Sequence, residues 1–142
     1  MNRIKSIAVI SLLLLLGSLL SCRDRNNGRV PDVPVNISIN ILLPEFFDLT
    51  VTTGSVYLTG GSRGIIVYRK SDTEFVAIER HSTYLPENEC AVIVKEDGLI
   101  IEDPCSGSQW IITDGTLVQG PASLPLITYD TNYSPPILYI TN

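Results

Sequence analysis

Turn signals recur at short intervals through most of this chain and leave no room for a long helix. Gly60-Gly61-Ser62, Lys70-Ser71-Asp72-Thr73, Lys95-Glu96-Asp97-Gly98, Asp114-Gly115 and Pro135-Pro136 each punctuate an apolar run. Glycine supplies the positive φ that tight turns demand, and proline cannot donate to a strand ladder. Short apolar runs with turns spaced about ten residues apart describe an all-β antiparallel sandwich or partly open barrel.

The runs themselves carry strand periodicity. Val35, Ile37, Ile39 and Ile41 alternate with Asn36, Ser38 and Asn40, a period-two strand with one wet face that Pro44 ends. Residues 44–54 hold Phe46, Phe47 and Leu49 without a clean period and read as a loop or one short turn packed on the core. Strands are expected over 55–59, 64–69, 74–79, 91–94, 99–102, 109–113, 116–118, 124–129 and 137–140. The run at 64–69 is apolar enough to be central. Asp97-Gly98 and Asp114-Gly115 mark hairpins, and 81–89 and 103–108 are the two longer polar loops.

The chain divides by composition. Arg3 and Lys5 precede an uncharged apolar stretch of 14 residues, 7–20, shorter than the ~20 a spanning helix needs. Leu19-Leu20-Ser21-Cys22 resembles a bacterial lipobox, in which cleavage leaves the cysteine lipidated at the new N-terminus. The expected organisation is a lipoprotein signal peptide over 1–21, a flexible lipidated tether over 22–33 and one β domain over 34–142. The expected location is the bacterial cell envelope, lipid-anchored at the outer membrane. Removing the leader takes away two cations and no acid, so 8 Lys and Arg face 15 Asp and Glu. A net charge of that sign repels nucleic acid and anionic lipid. Membrane attachment then comes from acyl chains. With Cys22 assigned to lipid, Cys90 and Cys105 remain. In an oxidising compartment two such residues pair more often than they stay free, the alternative being two buried thiols.

The most distinctive stretch is Asp103-Pro104-Cys105-Ser106-Gly107-Ser108-Gln109-Trp110, continued by Asp114-Gly115 and by Gly120-Pro121-Ala122-Ser123-Leu124-Pro125-Leu126. It resembles the second half of a Rieske iron–sulfur domain, and the likeness extends over about residues 64–130. In that family a Cys-x-His loop and a Cys-x-x-His loop hold a two-iron cluster through two thiolates and two imidazoles. Laid on this pattern, Ser82 and Tyr84 stand at the first loop's cysteine and histidine positions, and Asp103 and Ser106 at the second loop's. The chain holds one histidine, His81, so the family's ligand set cannot be assembled. Serine and aspartate are hard oxygen donors, whereas cluster irons prefer sulfur and imidazole. Cys105 keeps the middle cysteine of the second loop. The resemblance therefore implies a Cys90–Cys105 disulfide, and the hairpin flanked by these residues is compatible with that geometry.

Other constellations are weaker. His81 in a polar loop reads as solvated. A zinc site from His81, Cys90, Cys105 and Asp103 fits in residue type but competes with the disulfide. Ser82 and Ser106 could be nucleophiles only beside a base, and no Gly-x-Ser-x-Gly elbow is present. Gly60-Gly61-Ser62-Arg63-Gly64 lacks the strand-to-helix context of a phosphate cradle. Trp110, Tyr84, Tyr129, Tyr133 and Tyr139 read as core aromatics, with a ligand groove as the alternative.

Three functions are thus expected in order. The first is a membrane-anchored, cluster-free Rieske-like domain acting as a binding or structural module. It has no catalytic set, no metal and no cofactor, and its partner is an envelope protein or ligand that the sequence does not name. The second is a Rieske-type electron-transfer protein carrying a 2Fe-2S cluster. The third is a small serine hydrolase.

Overall fold

The computed structural model describes residues 29–142. The expected signal peptide, Cys22 and the expected tether as far as Gly28 lie outside the described residues. The described residues form ten strands. They are β1 (Asn36–Asn40), β2 (Ser55–Leu58), β3 (Ile65–Arg69), β4 (Phe75–Glu79), β5 (Ile93–Val94), β6 (Ile100–Glu102), β7 (Gln109–Ile111), β8 (Leu117–Gln119), β9 (Thr128–Ser134) and β10 (Ile137–Thr141). Short 3-10 turns cover Pro44–Thr50 and Pro86–Asn88. Six strands form one antiparallel sheet in the order β1-β10-β9-β4-β3-β2, and four form a second in the order β5-β6-β7-β8. This is the all-β architecture expected from the turn spacing.

Burial explains which runs went where. Strand β3 is covered on both faces. Ile65 and Val67 join a core with Ile39, Leu49, Phe75, Ala77, Leu138 and Ile140. Ile66 and Tyr68 join a second core with Ile78, Val92, Ile101, Trp110, Ile112 and Leu126. A strand buried on two faces has no wet side to alternate with, so 65–68 reads as an unbroken apolar run. The large sheet thus has a core on each side of its centre, and the second core fastens the small sheet to it. Tyr57 adds a polar tie between the sheets. Its hydroxyl accepts from the Val94 amide at 2.9 Å, and the Arg80 guanidinium lies 4.4 Å from its ring centre.

One strand differs from expectation. The apolar segment expected at 124–129 is not a ladder strand up to Ile127; β9 occupies the more polar Thr128–Ser134. Leu124 to Ile127 runs as an irregular connection whose carbonyls at Leu124 and Ile127 are claimed from elsewhere. The Trp110 indole N–H and the Thr83 hydroxyl donate to Leu124 O, and the Glu79 amide donates to Ile127 O. In β9 the inward set is Tyr129, Thr131 and Tyr133, an alternation of aromatics and threonine that a search for aliphatic periodicity passes over.

Candidate functional site

Strand β4 delivers the first of two loops that lie side by side. Beyond Glu79, His81 pairs with Ala91 as an isolated antiparallel bridge, and the Ser82 amide donates to Cys90 O at 2.9 Å. Between them the chain makes the 3-10 turn at Pro86–Asn88, entered at Leu85 (φ 44°) and left at Glu89 (φ 55°). The second loop follows β6. Asp103 O accepts from the Ser106 and Gly107 amides, and the Asp103 amide donates to Ser108 O. Gly107 sits at φ 76°, a left-handed turn position where glycine carries no Cβ penalty. A disulfide between Cys90 and Cys105, with Cα atoms 6.4 Å apart, ties the two loops together.

The Asp103 carboxylate occupies the space between the loops and is fully buried. Oδ2 accepts from the Ser82 hydroxyl at 2.8 Å and the Ser106 hydroxyl at 2.7 Å, and Oδ1 accepts from the Cys105 amide at 2.9 Å. Ser82 Oγ in turn accepts from the Tyr84 amide, and the buried Ser108 hydroxyl accepts from the Ala122 amide at 2.9 Å. The structure thus brings Ser82, Asp103 and Ser106 into one hydrogen-bonded cluster. Tyr84 contributes its backbone, while its half-buried ring packs on the second core. Asp103 Oδ1 thus holds the turn that follows it, and the Ser82 donor on Oδ2 ties the first loop to the second.

His81 departs from its expected solvated state. It is 2% exposed, and both ring nitrogens are engaged. Nε2 faces Pro86 O at 2.7 Å and Nδ1 faces the Ser62 hydroxyl at 2.8 Å. A carbonyl only accepts, so Nε2 donates to Pro86 O, and Nδ1 pairs with the Ser62 hydroxyl. The physical reason is local. The turn at Pro86–Asn88 folds back over the ring, and a buried carbonyl there needs a donor.

Glu79, the last residue of β4, is the centre of a second cluster. It is 1% exposed. Oε2 accepts from the Ser62 amide at 2.7 Å and the Tyr129 hydroxyl at 2.6 Å; Oε1 accepts from the Arg63 amide at 3.0 Å and the His81 amide at 2.7 Å. The glycine-rich loop is therefore an anion cradle after all, filled by the chain's own carboxylate. Gly61, at φ 59°, must be glycine here, because a Cβ would run into Glu79 Oε2 and the Tyr129 hydroxyl. Burial, and then the bond to Glu79, push the Tyr129 phenol well above its ordinary value. The available signal was an acid ending an apolar strand opposite a Gly-Gly-Ser turn.

These geometries decide which chemistries the residues can support. Ser62, His81 and Pro86 O align as nucleophile, base and orienting acceptor by distance alone. The Ser62 and Arg63 amides, which would be the natural oxyanion donors, both donate to Glu79, so the arrangement ties loops and offers no oxyanion hole there. Ligand atoms of Cys90, Asp103 and Cys105 lie within 4.8 Å of one another, but the two sulfurs are bonded to each other. His81 is spent elsewhere and does not join them. The residues between the loops do not fit a two-iron cluster with thiolate and imidazole ligands. They are hydroxyls and a carboxylate satisfied by one another. Beside the first loop lies a cleft of about 320 Å³, walled by Arg29, Val30, Thr83, Pro86, Leu124 and Ile127 among others.

Among solved structures the fold is that of Rieske domains. The cyanobacterial plasma membrane Rieske protein PetC3 from Synechocystis PCC 6803 superposes with a TM-score of 0.57 at 23% identity, over 76% of this chain and 99% of that one. A chain from the complex of reduced oxygenase and oxidized ferredoxin in carbazole 1,9a-dioxygenase superposes with a TM-score of 0.51 at 18% identity, over 78% of this chain and 94% of that one. No family model and no curated protein matches the sequence. The chain accordingly has a Rieske-like fold, and these likenesses speak to fold alone.

Proposed function

We propose that the protein is a lipid-anchored envelope lipoprotein whose Rieske-like domain carries no cluster and acts as a binding or structural module. The observation that carries this reading is the Ser82–Asp103–Ser106 network. It fills the position between the two loops, and the Cys90–Cys105 bridge joins the same loops covalently. A network with its donors and acceptors matched is a stable end state and has no need of metal. The alternative, electron transfer through a 2Fe-2S cluster, requires two imidazoles. The chain supplies one, and both of its nitrogens are engaged. A hydrolase is disfavoured by the loss of the oxyanion donors to Glu79. The lipid anchor rests on the lipobox at Cys22, and the absence of catalysis and cofactor belongs to the same proposal.

The test is aerobic purification of the full chain followed by iron and acid-labile sulfide analysis and a visible spectrum. A colourless protein without stoichiometric iron is expected. A red-brown protein carrying two irons per chain would overturn the reading. In parallel, Cys22→Ser should move the protein from the membrane fraction to the soluble fraction, and unchanged membrane attachment would count against lipidation.

A further inference from the structure

We infer that the face of the domain bearing the cleft beside the first loop rests on the membrane surface, with Leu124 and Ile127 in contact with the lipid interface. This rests on the reading of Cys22 as the lipidated residue. Three observations converge on it.

The first is reach. Arg29, the first described residue, is itself part of the cleft wall. Only residues 23–28 separate it from Cys22. Seven residue steps span at most ~25 Å. A compact domain of about this size has a radius of gyration near ~13 Å and hence a diameter of roughly 30 Å, so its far side stands farther from the cleft than the tether can reach. The short tether therefore holds the cleft face towards the bilayer.

The second is surface chemistry. Leu124 is 57% exposed and Ile127 is 40% exposed on the cleft wall, with Val30 and Pro86 beside them. Aliphatic side chains projecting next to a short tether gain by entering the acyl boundary of a bilayer, as the apolar face of an interfacial element does.

The third is charge. Residues 23–29 carry Arg23, Arg25 and Arg29 against Asp24, whereas residues 30–142 carry 5 Lys and Arg against 14 Asp and Glu. In sequence these cations lie between Cys22 and the cleft wall, a basic collar whose last member, Arg29, stands in that wall. Headgroup phosphates attract that collar and repel the acidic body. Acylation provides the attachment, and the collar and the two aliphatics set the orientation.

The experiment reconstitutes the full lipidated chain, carrying Leu124→Trp, into phosphatidylethanolamine–phosphatidylglycerol vesicles with and without brominated acyl chains. The native Trp110 is fully buried but bonds Leu124 O, so the wild-type chain is measured in the same vesicles and its quenching subtracted. Val118→Trp places the probe at a half-exposed position on β8, outside the cleft wall, as the comparison. Flotation of both variants with the vesicles is measured first. Bromine should quench the indole introduced by L124W and leave that of V118W unquenched. Equal quenching of both, or of neither, overturns the orientation while leaving the anchor intact. A blue-shifted but unquenched L124W means that protein, and not lipid, covers the cleft, which also overturns it. Failure to float overturns the anchor and this proposal together.

Discussion

Ser82 and Asp103, 21 residues apart and both fully buried, meet across two loops in a hydrogen bond of 2.8 Å. Ser106 reaches the same carboxylate oxygen at 2.7 Å from within the second loop. One carboxylate thus organises both loops.

Removing that carboxylate should be costly. Asp103→Ala leaves two hydroxyls and the Cys105 amide without their acceptor. Each stranded buried group costs about 1–3 kcal/mol, and serine hydroxyls can rotate to recover part of it, so a loss of about 2–4 kcal/mol is expected. Ser82→Ala removes one donor to Asp103 and the acceptor of the Tyr84 amide, and should cost about 1–2 kcal/mol. Urea unfolding of both variants measures this. A D103A midpoint close to wild type would remove the network from the account.

The disulfide should carry a similar share of stability. Cys90 and Cys105 are 15 residues apart, a closure worth about 3 kcal/mol in the chain-entropy picture. Reduction should lower Tm by roughly 10 °C in a domain of this size. Thiol titration of denatured, unreduced C22S protein should find no free thiol. Two free thiols per chain would show that the bridge does not form.

The Tyr129–Glu79 bond predicts a pH dependence. The phenol's folded value is raised, chiefly by burial and then by its bond to Glu79. The unfolded phenol therefore loses its proton first as pH rises. The stability this represents is complete below pH ~10, the ordinary phenol value, and is lost as pH climbs towards the folded value. Tyr129→Phe should cost about 1 kcal/mol near neutrality, for one hydrogen bond to Glu79. The gap to wild type should stay constant up to pH ~10 and narrow as pH rises above it. Unfolding curves on both sides of pH ~10 decide it, and a gap that stays constant throughout would contradict the assignment.

A glycine pair separates steric from conformational cost. Gly61 and Gly98 both have positive φ, 59° and 69°. A Cβ at Gly98 meets nothing within 4 Å, whereas one at Gly61 collides with Glu79 and Tyr129. Gly98→Ala should cost about 1–2 kcal/mol, the left-handed penalty alone. Gly61→Ala should exceed it by at least about 1 kcal/mol, the cost of disturbing a buried network. Thermal melts compare them directly; equal losses would mean that the Glu79 cradle yields freely.

Local sequence determined the strand content, because strands and turns are written in neighbouring residues. Alternation at 35–41, the Asp-Gly turns and the unbroken apolar run at 65–68 each have one local solution. The residue types at 82, 84, 103 and 106, and the single histidine, were likewise legible in advance as a poor match to a cluster site. Tertiary structure alone decided how the polar residues are spent. His81 sits in a polar loop and is buried, because a turn five residues later folds its carbonyl onto Nε2. Glu79 looks like any strand-end acid and is enclosed, because a glycine-rich loop 16 residues earlier points its amides inward. Tyr129 reaches the same acid from 50 residues away. Hydrophobic period is a property of neighbours along the chain. The partner of a buried polar group is a property of the folded chain, because burial makes an unpaired group costly and any donor brought near in space will serve.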